Sequence, residues 1–451
     1  MERFDIAVIG AGPGGFRAAI RCAQKGASVA IIEKDFIGGT CLNYGCIPSK
    51  TLLASAHVLL AAKNADTMGI NIASATPNWH KIQTRRENII TDLRKAMTAS
   101  LKITKTKWFQ GQAVVTSPNR LKIETNGSIS EIHADKIIIA TGSEPIQLAE
   151  IPFDSKIIIS SKEALSLEQI PKSMVVVGGG VIGCELACVF AAVGTKVTIV
   201  EMLPFLLASE DQWVGKLIER EFKKLGINIL TSQKVVSVDK NNKLAKVFLE
   251  NGQTIDAEKV LVAVGRKACC DKETIEALNL EMQGSAIKIN EKMETSVKGV
   301  YAIGDAAGKT YLAHGATTEA DVAAANAMGG DVKMPDYSLI PRVIYTFPEA
   351  ASVGKNEQTC KSEGLNVSVG KAFFRANGRS AASNETVGEI RVVKNNSTNK
   401  IIGITMAGAM VTELVAAAAA FIGRQEKDTQ ITFAHPTISE TLKEAVENAF
   451  T

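Results

Sequence analysis

Cys41 and Cys46 are separated by four residues in Gly38-Gly-Thr-Cys41-Leu-Asn-Tyr-Gly-Cys46-Ile-Pro-Ser-Lys50. Two thiols at this spacing could carry electrons as a disulfide, pack as free core cysteines, or supply half a metal site. Residues five apart on an ideal helix lie about 140° around and about 7.5 Å along the axis. A disulfide needs Cα atoms within about 4.4–6.8 Å. Closure therefore demands an irregular turn, which Asn43 with Gly45 can supply. A strained bond at a helix end is redox-labile, and a thiolate near a helix N-terminus is stabilised. No second ligand pair stands at zinc spacing, so no metal is expected. Cys22, Cys184, Cys188 and Cys360 lie singly in apolar runs and read as packing residues, and the adjacent Cys269 and Cys270 read as equally inert.

Lys50 follows Cys46 by about one helical turn. It could pair with a carboxylate or hold an anionic cofactor atom, although a helical lysine is commonly just solvated. Of five histidines, His57, His80, His133 and His314 show no partner pattern. His435 opens His-Pro-Thr-Ile-Ser-Glu440, and a histidine held by a carboxylate can take a proton from a thiol. The same residues fit a capping box, Thr437-x-x-Glu440, closing the first turn of a last helix. Spacing alone does not choose between the two.

These groups need elements to hold them, and the strongest element signal is a repeat. Ile6–Ile9 is a short apolar run, then Gly10-x-Gly12-x-x-Gly15 opens a helix, and a second strand, Ser28–Ile32, stops at Glu33. A shift of 168 residues finds Val175–Val177, Gly178-x-Gly180-x-x-Gly183 and a strand, Thr198–Val200, stopping at Glu201. Downstream, Asp135–Gly142 resembles Glu258–Gly265, each after a turn signal, Asn126-Gly127 or Asn251-Gly252. The first glycine permits a tight turn, the second lets a pyrophosphate approach the backbone, and the third lets helix and strand close. The pyrophosphate sits on the helix N-terminus. The terminal glutamate accepts from the ribose hydroxyls and disfavours a 2′-phosphate. With Met202 after Glu201 and no arginine close behind, the second copy suits NAD rather than NADP. Strand residues ending in Gly304-Asp305 place a carboxylate where α/β sheets bind ligands. A helix is expected over Ala316–Ala327. From about Ile340 the pattern turns to strands (Arg342–Thr346, Gly388–Val393, Ile401–Ala407) followed by helices (Val411–Gly423, Ser439–Asn448), an α+β unit with no third fingerprint.

The bulk numbers agree with this. At 451 residues the chain suggests two to four domains. A composition of 46% hydrophobic and 22% charged residues is globular. The net charge of +4, with no block of like charge, gives no case for nucleic acid. Val175–Gly194 is interrupted by Glu185 and Leu414–Ile422 is too short, so no membrane span is expected. No signal peptide follows Met1, which favours the cytoplasm.

Gly-Gly-Thr-Cys41-x4-Cys46-Ile-Pro-Ser-Lys50, both fingerprints, Ala140-Thr-Gly142, Ala302-Ile-Gly-Asp305 and His435-Pro-Thr-x-Ser-Glu440 together resemble the flavin-dependent pyridine nucleotide–disulfide oxidoreductases over almost the whole chain. Within that family the resemblance is to the members that oxidise dihydrolipoyl groups with NAD⁺. The alternative is an NAD(P)H-dependent reductase of another small disulfide. The resemblance implies an α/β fold with two Rossmann-like domains and a C-terminal α+β dimerisation domain. Its parts would be 1–145 for FAD, 146–270 for NAD, 271–339 for FAD again and 340–451 for the dimer interface. It implies FAD on Gly10, Gly12, Gly15, Glu33, Lys50, Ala113, Thr141, Gly142, Asp305 and Ala313. It implies NAD on Gly178, Gly180, Gly183, Glu185 and Glu201, with Gly265 near it. Lys50 would pair with Glu185. Cys46 would face the flavin and Cys41 would exchange with substrate. His435, oriented by Glu440, would be the acid/base and would act in the other subunit of a homodimer, so that the active site is shared. The partners implied are the lipoyl-bearing acyltransferase of a 2-oxoacid dehydrogenase complex or the lipoyl carrier of glycine cleavage. Where the family shows Gly-Arg-x-Pro-Asn, this chain has Gly265-Arg-Lys-Ala-Cys-Cys270, and Gly315 replaces a frequent lysine.

Overall fold

The computed structural model describes residues 1–241 and 244–451. The chain divides into two compact units, each made of three segments: 1–51, 83–146 and 265–337 in the first, 52–82, 147–264 and 338–451 in the second.

The first unit is built on a seven-stranded sheet. Glu2–Ile9 runs parallel to Val29–Glu33 on one side and to Ser128–Ile139 on the other. Its residues go alternately to two cores: Ile6 and Val8 pack under the helices Pro13–Gln24 and Ala313–Ala327, Ala7 and Ile9 on the opposite face. Burial on both faces is why the strand reads as an unbroken apolar run. Ser128–Ile139 changes partner along its length. Its start closes an antiparallel hairpin with Arg120–Thr125 through Asn126 and Gly127, both at positive φ. Its end pairs in parallel with Val300–Ala302, which delivers the chain to Asp305.

The second unit holds a five-stranded parallel sheet: Asn228–Leu230, Lys196–Val200, Ser173–Val177, Lys259–Val262 and Ile158–Ile159 in spatial order. A three-stranded antiparallel sheet, Val235–Lys240, Ala245–Leu249 and Thr254–Ala257, covers one face. The expected α+β segment is a five-stranded antiparallel sheet, ordered Arg342–Ile344, Glu349–Gly354, Lys400–Gly408, Glu389–Asn395, Val367–Phe373. Helices Val411–Phe421 and Ser439–Phe450 pack on it. The last helix comes so close that a Cβ on Gly370 would stand 2.1 Å from the Ala445 carbonyl oxygen.

Three details differ from the sequence reading. The alanine-rich helix starts at Ala313, not Ala316, so His314 and Gly315 are in its first turn. Two long helices, Cys46–Lys63 and Trp79–Ile103, carry no repeat or motif that announced them beyond Lys50. The helical stretch Gly39–Lys63 is also long and apolar enough to cross a bilayer by length and composition, with 39% of an 18-residue part of it buried.

Phe190, fully buried on helix Val181–Ala192, packs with its ring centroid 6.1 Å from that of Trp79. Phe190→Ala is expected to cost about 3–5 kcal/mol, read as a lower urea midpoint; a loss below about 1 kcal/mol would show that the cavity collapses.

Candidate active site

The glycine-rich approach to the cysteines is laid directly on the first fingerprint. Gly38 donates its N–H to the Ala11 carbonyl at 2.9 Å, and a Cβ on Gly39 would stand 2.6 Å from Gly12 Cα. Helix Gly39–Tyr44 then stops at Gly45, and helix Cys46–Lys63 begins. The break brings the Cα atoms of Cys41 and Cys46 to 4.7 Å, and the two form a disulfide. Asn43 is not part of the irregularity. It is helical and buried, donating from Nδ2 to the carbonyls of Ile37 at 3.2 Å and Gly39 at 2.8 Å. Arg94 donates to its Oδ1, with the guanidinium 3.7 Å from the Phe36 ring centroid. Gly45 alone supplies the break, because Asn43's amide serves the incoming carbonyls instead. Among the described residues no three His, Cys, Asp or Glu side chains converge as metal ligands. Lys50 is half-buried one turn into the second helix.

The two fingerprints match atom for atom. Glu33 Oε2 accepts the N–H of Ala11 at 2.8 Å and Oε1 that of Asp35 at 2.9 Å. Glu201 Oε2 accepts the N–H of Gly179 at 2.6 Å and Oε1 that of Leu203 at 2.7 Å. Each carboxylate thus holds its own loop and keeps acceptor positions in hand, since a carboxylate offers about four. Gly10 and Gly178 stand at φ +98° and +106°, and a Cβ there would meet the next strand's end, Ala140 O at 2.3 Å or Ala263 O at 2.6 Å. A Cβ on Gly15 or Gly183 would lie 2.0 or 2.1 Å from the first glycine's carbonyl oxygen. A Cβ on Gly12 or Gly180 meets nothing within 4 Å. First and third glycines therefore close the turn, and the second leaves a bare surface at a helix start. A dinucleotide pyrophosphate fits that surface in both copies.

The remaining first-unit residues gather around the sheet's C-terminal edge. Ala113 is buried on the strand Gln112–Ser117, and Ala313 is the first residue of its helix. Thr141 Oγ1 donates to the Cys269 carbonyl, and the Gly142 carbonyl accepts the Cys269 N–H at 2.9 Å. Gly265 leads into Arg266–Ala268, which pairs antiparallel with Ser143–Pro145; its carbonyl accepts the Ile146 N–H at 3.0 Å. Asp305 accepts from Ser143 Oγ, which accepts from Arg266 Nε at 2.8 Å. Burial pulls the Arg266 guanidinium below its usual pKa, with Asp305 and Glu144 opposing. Behind this turn Glu319, 1% exposed, accepts the Gly304 N–H and, at 2.7 Å, the Tyr337 hydroxyl. Its burial pushes its pKa up. Ser143 and Arg266 were missed because their partners lie more than 100 residues off in sequence, and Glu319 and Tyr337 because no motif marks them. In the second unit Glu185 is buried and accepts the Tyr345 N–H at 3.0 Å.

The two readings of His435–Glu440 are both partly present. Glu440 Oε1 meets His435 Nδ1 at 3.0 Å, and Oε2 accepts the Thr437 N–H at 2.9 Å. The reciprocal half of a capping box is missing, because the Glu440 N–H goes to the Thr437 carbonyl at 3.4 Å rather than to its Oγ1, which donates to the Ala434 carbonyl at 2.8 Å. The helix itself begins at Ser439. Glu440 is held below its ordinary 4.5, first by the Thr437 N–H and then by His435. Its bonds are therefore complete above the ordinary carboxylate value and fail only as pH falls through the lowered one. The Thr437 amide proton shift in NMR is expected to hold steady down to pH 4.5 and titrate below it; a midpoint at or above 4.5 would refute the arrangement.

Comparison with known proteins agrees with this geometry. The pyridine nucleotide-disulphide oxidoreductase family model matches residues 4–320, and that family's dimerisation domain matches residues 340–446. The dimerisation domain supports a homodimer. A dihydrolipoyl dehydrogenase of Bacillus subtilis is 39% identical, covering 98% of this chain and 97% of its own. One from Geobacillus stearothermophilus is 38% identical, covering 99% and 96%. In fold, the chain is similar to LpdA from Mycobacterium tuberculosis, with a TM-score of 0.92 at 24% identity over 99% of both chains. It is also similar to the flavoprotein disulfide reductase RclA from Escherichia coli, with a TM-score of 0.87 at 24% identity over 98% and 99%. The chain belongs to the pyridine nucleotide-disulphide oxidoreductases, FAD-dependent enzymes that use NAD.

Proposed function

We propose that this enzyme oxidises protein-bound dihydrolipoyl groups to the lipoyl disulfide and reduces NAD⁺. The observation that carries the reading is the Cys41–Cys46 disulfide, closed at the start of a helix and resting on the first fingerprint loop. His435 has Nδ1 committed to Glu440, which leaves Nε2 to take a proton from the substrate thiol. The substrate thiolate attacks Cys41 Sγ, and Cys46 leaves as a thiolate. Cys46 is the first residue of an 18-residue helix, whose positive end favours that charge. The second substrate thiol then displaces Cys41, giving cyclic disulfide and a reduced enzyme with atoms and electrons balanced. FAD held on the first fingerprint would supply the two-electron chemistry that links this dithiol to NAD⁺.

Gly10, Gly12, Gly15 and Glu33 hold the FAD pyrophosphate and ribose, with Lys50, Ala113, Thr141, Gly142, Asp305 and Ala313 lining the same site. Gly178, Gly180, Gly183, Glu185 and Glu201 hold NAD, with Gly265 nearby. In a single chain His435 is 79% exposed, which supports its serving the partner subunit of the homodimer. The reductant comes from a lipoyl-bearing acyltransferase of a 2-oxoacid dehydrogenase complex or from the lipoyl carrier of glycine cleavage.

The deciding experiment is anaerobic mixing of the flavoprotein with dihydrolipoamide, then NAD⁺ or NADP⁺. NADH formation is expected, with NADP⁺ inert. A flavin that ignores dihydrolipoamide but bleaches with NADPH would sink the reading in favour of another disulfide substrate. Cys46→Ser is expected to abolish turnover and retain flavin; loss of flavin would make Cys46 structural. His435→Gln is expected to lower kcat by about 10²–10⁴-fold, the usual worth of a general base, and an unchanged kcat would remove His435 from the mechanism.

A further inference from the structure

Cys269 and Cys270 take no part in the chemistry above. They follow the strand Arg266–Ala268 and precede Asp271, which caps helix Lys272–Leu278 by accepting the Thr274 N–H at 3.1 Å. Both are reduced and half-buried, whereas Cys22, Cys184, Cys188 and Cys360 are buried. The dipeptide is fastened on two sides. The backbone of Cys269 donates to the Gly142 carbonyl and accepts from the Thr141 hydroxyl. Cys270 leans on the core that contains Ala113, Ile139 and Ala302.

Neighbouring residues on a trans peptide hold their Cα atoms about 3.8 Å apart. That is shorter than the range of about 4.4–6.8 Å found in disulfides. An S–S bond between Cys269 and Cys270 would therefore distort the backbone, so the pair stays a dithiol. A soft atom bonded to both sulfurs needs no S–S contact, and thiolates are the ligands such atoms select.

We propose that Cys269–Cys270 is a second dithiol, a site for a monosubstituted trivalent arsenical or an equivalent soft two-coordinate thiophile, and that its occupation loosens the Thr141–Gly142 segment. Two As–S bonds replace two As–O bonds, each thiol proton leaves as water with an arsenic-bound hydroxyl, and no electrons change hands. Burial, with smaller contributions from Asp271 and Cys269, raises the Cys270 thiol to about 12. So little of it is thiolate near neutral pH that Cys270 serves as the ring-closing sulfur. Drawing both sulfurs onto one atom turns the Cys269 peptide groups away from Thr141 and Gly142. The consequence for flavin rests on the assignment of Thr141 and Gly142 to the FAD site; the adduct does not.

Oxidised holoenzyme tests this cleanly, because Cys41 and Cys46 are closed and offer no dithiol. Phenylarsine oxide is expected to add once per chain by intact mass, at the peptide containing residues 269 and 270. The adduct should resist a monothiol and yield to 2,3-dimercaptopropanol. Flavin fluorescence should appear about ten-fold faster, as expected when one hydrogen bond's hold is lost. C269S/C270S should take up none and C41S/C46S should still take up one. No uptake by the oxidised enzyme, uptake that persists in C269S/C270S, or an adduct mapping elsewhere in the wild type overturns the site. An adduct with unchanged flavin release overturns the coupling to Thr141.

Discussion

In each fingerprint a buried carboxylate at the end of the second strand carries the loop that it also serves. Glu33 holds the N–H of Ala11, and Glu201 holds that of Gly179, the residue after the first glycine in both cases. The bond fixes the loop before any nucleotide arrives, so the bare surface at Gly12 or Gly180 is ready-made. Preorganisation of this kind removes ordering cost from binding. The disulfide turn depends on it in a direct chain of contacts, since Gly38 reaches the same Ala11 that Glu33 holds.

The two nucleotide sites are therefore one device used twice, with different attachments. The first has the glycine-rich segment Gly38–Gly39 laid on its loop and the redox cysteines beyond it. In the second, the corresponding helix is buried almost all round, and Glu185 within it is answered by the backbone of Tyr345. A carboxylate in such a setting is tolerable only with donors supplied.

Much of this was legible in the sequence because its causes are local. Glycine spacing, apolar runs and a terminal glutamate each act within one strand–turn–helix unit, so both fingerprints and their glutamates could be read directly. The cysteine pair was legible as a pair, but its turn was only half legible. Gly45 breaks the helix, while Asn43 is claimed by carbonyls and by Arg94, 51 residues away. Ser143 and Arg266 meet across 123 residues. Contacts of that range leave no periodic trace. His435–Glu440 defied a choice from spacing because the carboxylate has two oxygens and serves two masters.

That division links the imidazole to something with no polar atoms at all. Leu442, Ala445, Val446 and Ala449 seat the last helix in the core of the antiparallel sheet, and Gly370 lets its backbone touch the strand. Glu440 is in the first turn of that helix. The angle of the imidazole is thus set by hydrophobic packing several residues downstream. A methylene removed at Leu442 or Val446 would reach the imidazole as a tilt, without touching either the histidine or its carboxylate.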